Sequence, residues 1–125
     1  MKKIVSTDKA PAAIGPYSQA VEAGDFVFVA GQVPIAPAQG KIVEERVAGQ
    51  TRQVLENVKQ ILAAAGLGLE SVVKTTVFLK SMGDFREMNE VYAEYFSKDP
   101  PARATIEVSG LPLGALVEIE VVARR

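Results

Sequence analysis

Residues 71–80 read SVVKTTVFLK, a run of β-branched and apolar side chains that predicts a β-strand. A helix is predicted to start near Asp84, which can cap it, with Glu87 three residues later completing a capping box. A Pro-Pro pair ends this helix, and a further strand is predicted over Arg103–Val108. The apolar stripe of the helix consists of Phe85, Met88, Val91, Tyr92, Tyr95 and Phe96. The segment therefore predicts a strand–helix–strand unit.

A second helix is predicted upstream, over Val47–Ala65. Apolar residues recur there at the spacing of one buried helical stripe, and Gly66 and Gly68 follow at its C-terminal end. The stripe is formed by Val47, Val54, Leu55, Val58, Ile61, Leu62 and Ala65. Further strands are predicted over Asp25–Gly31, near Lys3–Ser6, near Ser18–Glu22 and over Ala115–Ala123, and Val33–Gly40 is predicted to be an ordered loop.

These elements give the order β-β-β-α-β-α-β-β, which predicts an α+β fold with both helices packed on one face of a single sheet. No linker or repeat interrupts the chain, so residues 1–125 are expected to form one domain. Phe26 and Phe28 alternate with Val27 and Val29, so both faces of this strand are apolar. The face without helices predicts a homo-oligomer, unless N-terminal loops cover it.

The last two strands are joined by a six-residue loop, which predicts a hairpin. Pairing Val108 with Ala115 would place Arg103 opposite Glu120 and Thr105 opposite Glu118. An arginine, a hydroxyl and two carboxylates would then share one face. This group could bind a substrate carboxylate and activate water, or it could be a purely structural ladder of ion pairs.

Composition restricts the chemistry that the chain can perform. There is no Cys and no His, so disulfides, thiolate nucleophiles, histidine bases and the usual transition-metal ligands are excluded; no metal site is expected. The 14 basic and 15 acidic residues nearly balance, which argues against a general nucleic-acid binder. No apolar run is long enough for a signal or membrane segment, so a soluble, cytoplasmic protein with no membrane partner is expected.

Three further residues are candidates for a site. Asn89 lies between Phe85 and Tyr92 on the helical wheel, where an amide can satisfy a backbone group or face a ligand. Tyr17 follows a Gly-Pro turn and could bind a ligand or pack at the edge of the core. Gly31 ends a strand, where it could let a ligand approach the backbone or form a bulge.

Several blocks of the sequence together resemble the Rid (YjgF-like) family, and within it the reactive-intermediate deaminase A group. The similar blocks are APAAIGPYSQA (10–20), AGQVP (30–34), QVLENV (53–58), VKTTVFL (73–79) and PARATI (101–106), continued by residues 111–112 and VEIE (117–120). They occur in the family's order and cover the chain from Ala10 almost to its end.

The resemblance implies a chorismate-mutase-like fold and a homotrimer whose sheets pack into a central β-barrel, with sites in clefts between subunits. It implies hydrolysis of reactive 2-imino acids and enamines, such as 2-aminoacrylate, 2-iminopropanoate and 2-iminobutanoate, to 2-keto acids and ammonia without a cofactor. Such an enzyme serves in metabolite damage control.

The resemblance also assigns roles to single residues. Arg103 matches the arginine that binds the substrate carboxylate, and Glu118 matches the glutamate that positions the hydrolytic water. Tyr17, Asn89 and Gly31 match residues that line the pocket. Two residues differ from the family pattern. The family often has Cys where this chain has Thr105, and the contact made there can come from the backbone. The family often has Ser where this chain has Ala30.

Two other functions are compatible with these residues. A regulatory trimer could bind small carboxylates without turning them over, using Arg103 but not Glu118. A ribonuclease is proposed for some relatives, but this sequence has no histidine and no basic or aromatic strip to bind RNA. Deamination is therefore the preferred interpretation.

Overall fold

The computed structural model describes residues 1–125 and contains eight strands and two α-helices. The strands are β1 (Lys3–Val5), β2 (Ala20–Ala23), β3 (Phe26–Gln32), β4 (Ile35–Ala36), β5 (Lys41–Ile42), β6 (Val72–Leu79), β7 (Ala102–Glu107) and β8 (Val117–Arg124). The helices are α1 (Val47–Ala64) and α2 (Phe85–Tyr95). The two helices and all six predicted strands are confirmed. The α+β class is therefore also confirmed.

Six strands form one sheet in the order β1-β2-β3-β8-β6-β7. Only β6 and β7 run parallel, as expected for strands joined by a crossover helix. The segment Val33–Gly40, predicted to be a loop, instead contains β4, which pairs with β5 in a small separate hairpin. Ile35 and Ala36 are buried there, so packing against the domain orders a stretch whose prolines indicated irregular backbone.

Both helices pack on one face of the sheet, as the element order predicted. Val54, Leu55 and Val58 of α1 and Met88 of α2 are fully buried in one apolar core with the inward side chains of the strands. Gly66 takes a left-handed φ of 76° after α1, the conformation that commonly ends a helix. No helix combines the length and the apolar composition needed to cross a lipid bilayer.

The predicted capping box at the start of α2 is wrong. The Asp84 side chain makes no capping hydrogen bond, and its backbone is already near-helical at φ −90° and ψ −1°. A 3₁₀ turn over Met82–Asp84 precedes the helix, so the chain enters α2 without the extended residue that a capping box requires. The hydroxyl of Ser81 instead accepts a hydrogen bond from the Gly83 amide at 3.1 Å.

The predicted hairpin between the last two strands is also wrong. β7 pairs only with β6, on the outside of the sheet, whereas β8 lies between β6 and β3. The loop between them therefore crosses the end of β6. β8 takes the central position because Val117, Ile119, Val121 and Ala123 are all buried by the helices, whereas alternate residues of β7 are exposed, as suits an edge strand.

The sheet face opposite the helices is apolar and open in the single chain. Phe26 and Phe28 are 40% and 48% exposed, whereas Val27 and Val29 between them are buried. Ile4 and Ile106 extend this face toward the two edges of the sheet. The N-terminal segment leaves these side chains uncovered, so the alternative that loops cover this face is wrong.

Candidate active site

Arg103 lies on the helix side of the sheet. Its neighbour across the parallel β6–β7 pair is Thr75, which is fully buried beneath α2. The guanidinium carbon lies 4.6 Å from the centre of the Tyr92 ring and 5.6 Å from that of Phe85. No carboxylate lies within 4.0 Å of Arg103, so its charge is not compensated within the chain.

Arg103 and Asn89 line the same cavity, which has a volume of about 400 Å³. The rest of its wall is largely apolar and consists of Tyr92, Ala93, Phe96, Pro100 and Pro101. Asn89 is one turn before Tyr92 on α2, so the helix presents both to the arginine. A cationic fork and an amide in the wall of one small cavity suit a small ligand that carries one carboxylate.

Thr105 follows Arg103 by two residues and therefore shares its face of β7. Its sheet neighbour is Val77, which is fully buried. The Thr105 hydroxyl is buried and has no hydrogen-bond partner. An unpaired buried hydroxyl carries a desolvation cost. Thr105 does not line the cavity that contains Arg103.

Glu118 faces the other side of the sheet. Its neighbour on β6 is Phe78, and the residues before and after it on β8 point inward beneath the helices. Burial, together with the charge of Glu120, raises the pKa of the Glu118 carboxyl above its ordinary value. Glu118 is therefore a carboxylate of increased basicity, as general-base catalysis near neutral pH requires.

Gly31 lies directly against the Glu118 carboxylate. The β3–β8 register shifts between Val29 and Gln32, which marks an irregularity at this glycine. A Cβ at position 31 would clash with Glu118 Oε2 and lie 3.0 Å from its Cδ. The backbone and the carboxylate can approach this closely only because the residue is glycine.

Tyr17 belongs to neither of these groups. Its side chain is 53% exposed, and its hydroxyl accepts a hydrogen bond from the Ile14 amide at 3.2 Å. It lines a separate depression beside Asp8 and Gln19. The buried Gln19 amide binds the backbone at Thr7 and Pro11, which holds the N-terminal segment around this depression.

One chain thus brings Arg103 together with Asn89, and Glu118 together with Gly31, on opposite faces of the sheet. The prediction that Arg103, Thr105, Glu118 and Glu120 converge on one face is wrong because it rested on the β7–β8 hairpin. The alternative ion-pair ladder between Arg103 and Glu120 is wrong for the same reason. No group of three or more Asp, Glu, His or Cys side chains is arranged to hold a metal ion.

The sequence interpretation missed the contact between Tyr92 and Arg103. Tyr92 was assigned only to the apolar stripe of its helix, where its spacing placed it correctly. The spacing of three residues from Asn89 was a usable signal, because such residues share a helical face. The partner of the Tyr92 hydroxyl is Thr75, at 2.7 Å, and it could be found only once β6 was known to lie under α2.

The chain is similar in sequence and in fold to several known proteins. The family described as endoribonuclease L-PSP matches residues 7–125. A RutC family protein of Pyrococcus horikoshii is 58% identical over 123 residues, which covers 98% of each chain. Reactive Intermediate Deaminase A of Arabidopsis thaliana is 52% identical over 98% of this chain and 65% of its own length.

A mouse protein named 2-iminobutanoate/2-iminopropanoate deaminase is 48% identical over 98% of this chain and 91% of its own. Among solved structures, Escherichia coli TdcF with bound serine superimposes with a TM-score of 0.94 at 44% identity, covering 98% of each chain.

Proposed function

Because the chain belongs to the YjgF/Rid family, also described as the endoribonuclease L-PSP family, we propose that it hydrolyses 2-imino acids to 2-keto acids and ammonia. The observation that carries the proposal is the uncompensated charge of Arg103 in the wall of a small cavity that it shares with Asn89 and Tyr92. Relatives named as deaminases are 48–52% identical to this chain over 98% of its length.

The proposed site is shared between subunits of a homotrimer. Arg103 and Glu118 lie on opposite faces of the sheet, so a single chain cannot present both to one small molecule. Packing the open faces of three sheets into a barrel would bury Phe26 and Phe28 and bring the Glu118 half of one subunit to the Arg103 half of the next. Tyr17 and Asn89 would line the same cleft.

In the proposed reaction, Arg103 holds the substrate carboxylate through a bidentate pair. The Glu118 carboxylate takes a proton from water while the water oxygen attacks the imine carbon. The imine nitrogen gains a proton, which gives a carbinolamine. The hydroxyl proton of the carbinolamine then passes to the nitrogen as the carbon–nitrogen bond breaks, so that ammonia leaves and the ketone forms. One imine and one water thus yield one keto acid and one ammonia, with no cofactor.

The decisive experiment generates 2-aminoacrylate or 2-iminobutanoate in situ with a dehydratase and traps the remaining imine. Keto acid should form faster with the protein than without it. Arg103→Lys should weaken binding of substrate and of unreactive carboxylates by about 30-fold or more, because an ammonium cannot reproduce the arginine fork. Glu118→Gln should leave that binding nearly unchanged and lower kcat by about 100- to 10,000-fold.

The second candidate is a regulatory trimer that binds small carboxylates without turnover, and the serine-bound relative favours it. In that case carboxylates bind through Arg103, but the protein does not accelerate keto-acid formation and Glu118→Gln changes nothing. Equal kcat for Glu118→Gln and the wild type in a folded trimer would exclude the water-activating role.

A further inference from the structure

Arg103 is the exception among the six arginines of the chain. Each of the other five forms an ion pair with an acidic side chain, at 2.7–3.7 Å. These five are surface residues, namely Arg46, Arg52, Arg86, Arg124 and Arg125. Arg103 is half-buried, and its guanidinium contacts two aromatic rings and no carboxylate. Another feature must therefore orient its guanidinium.

Tyr92 provides a fixed surface for that guanidinium. Its residue is only 5% exposed, and its ring packs against that of Phe96 with 4.7 Å between centres. At the far end of the ring, the hydroxyl is 2.7 Å from that of Thr75, the direct sheet neighbour of Arg103. The ring is thus held by Phe96 and at its hydroxyl tip, and the Arg103 guanidinium lies over it at 4.6 Å from the ring centre.

An aromatic face attracts a guanidinium without using any of its N–H donors. A carboxylate in the same place would occupy the arginine fork and compete with an anionic ligand. Burial raises the pKa of Tyr92, so the phenol stays neutral and does not become such a competitor. No carboxylate of the chain occupies the Arg103 fork, so the fork can serve a ligand.

We propose that Tyr92, anchored by Thr75, is a positioning residue that holds Arg103 ready to bind the substrate carboxylate. This inference rests on the carboxylate-binding role of Arg103 proposed above. It predicts that the loss of the ring weakens carboxylate binding while the chemical step, which depends on Glu118, is preserved.

Tyr92→Leu tests this, with Tyr95→Leu as the matched control. Tyr95 is on the same helix and hydrogen-bonds Glu56 at 2.8 Å, but it does not contact Arg103. Tyr92→Leu should raise the dissociation constant for 2-oxobutanoate and the KM for substrate by about 2- to 30-fold, the range expected for loss of a cation–π contact, with kcat within about twofold. Tyr95→Leu should lower stability without changing either binding constant.

Tyr92→Phe keeps the ring and should restore most of the binding. Thr75→Val should have the same small effect as Tyr92→Phe, and the double variant should be no worse than either, because both remove one hydrogen bond. These conservative variants keep the test informative if Tyr92→Leu folds poorly.

A second measurement is independent of any ligand. In the free protein, the Arg103 Nε–H resonance should show restricted motion by NMR relaxation, and Tyr92→Leu should increase that motion. Unchanged motion and unchanged binding in folded Tyr92→Leu would overturn the inference. If instead the wild type binds no carboxylate while Arg103 still loosens, the proposed function fails and the positioning contact stands.

Discussion

The carboxylate of Glu118 occupies the space that a side chain at position 31 would need. A Cβ on Gly31 would lie 3.0 Å from Glu118 Cδ and 3.3 Å from its Cγ, and closer still to one carboxylate oxygen. Gly31 has no left-handed φ, so the close approach, and not backbone conformation, requires glycine here. The position of the proposed general base is thus tied to the residue that contacts it.

Gly31→Ala should displace the Glu118 carboxylate and lower kcat by about 100-fold, since a shift of roughly 1 Å in a catalytic group has that order of effect. Binding of carboxylates should change much less, because Arg103 lies on the other face. Keto-acid formation and titration with 2-oxobutanoate measure the two effects separately.

Gly110→Ala is the matched control. Gly110 has no atom within 4 Å of a built Cβ and no left-handed φ, so this substitution should leave kcat within about twofold of the wild type. Full activity of Gly31→Ala would show that the observed position of Glu118 is not the catalytic one.

The raised pKa of Glu118 predicts a pH dependence. Because water activation needs the carboxylate form, kcat/KM should fall as the pH drops through this pKa and level off above it. The acidic limb should therefore lie above the ordinary glutamate pKa. A ¹³C NMR titration of the Glu118 carboxyl checks the assignment directly.

Burial is the larger cause of this shift, and Glu120→Gln tests the smaller one, the charge of Glu120. It removes the like charge that disfavours the Glu118 carboxylate, so both the titration and the acidic limb should move to lower pH. Glu70→Gln, in the turn before β6, should move neither. An acidic limb that stays in place while the NMR titration shifts would assign the limb to another group.

The parts of the fold that could be predicted from the sequence are those decided by local pattern. The stripe of α1 and the alternation of Val27 and Val29 with their phenylalanine neighbours each reflect burial along one element. The order of strands depends on contacts between distant segments, and two rules competed for β7. A short loop favoured pairing with β8, but the α2 crossover favoured parallel pairing with β6, and the observed sheet follows the second.

The candidate site shows the same division. The pattern identified Arg103, Asn89 and Glu118 as unusual polar residues, and the family resemblance supplied their roles. The pattern could not place Arg103 and Glu118 on opposite faces, because their relation depends on β6 lying between their strands. Nor could the pattern show that the charge of Arg103 is uncompensated. That property depends on the fold, which places every carboxylate more than 4.0 Å from the Arg103 guanidinium.

The open apolar face predicts a homotrimer with little folded monomer. Phe28→Glu places a charge in the middle of this face and should shift the protein toward smaller species in sedimentation equilibrium at low micromolar concentration. Leu113→Glu is the control, because Leu113 is 68% exposed in the loop between β7 and β8, outside the sheet. A wild-type protein that sediments as a single 13.3 kDa species would contradict the trimer and the shared site.

A site shared between subunits predicts that two impaired variants can restore activity when they are combined in one trimer. A site within one subunit does not predict this. In the proposed trimer, Arg103→Lys and Glu118→Gln each damage one half of a site, and the two halves come from different subunits. If the two variants are unfolded together in equal amounts and refolded, some clefts should combine an intact Arg103 from one subunit with an intact Glu118 from its neighbour. Random assembly gives about one quarter of all clefts both intact residues, so about a quarter of wild-type kcat should return.

At a substrate concentration near the wild-type KM, each variant refolded alone should have less than about a tenth of wild-type activity, as the predicted binding and kcat defects require. Mixing the two without unfolding should restore activity only as fast as subunits exchange. A mixture of Glu118→Gln with Gly31→Ala provides the internal control. Gly31 and Glu118 lie in the same half of the site, so each subunit carries a damaged half and no combination produces an intact cleft. Recovery in the first mixture but not in the second would establish which residues each subunit contributes. Absence of recovery in refolded mixed trimers would mean that Arg103 and Glu118 do not act in one cleft between subunits.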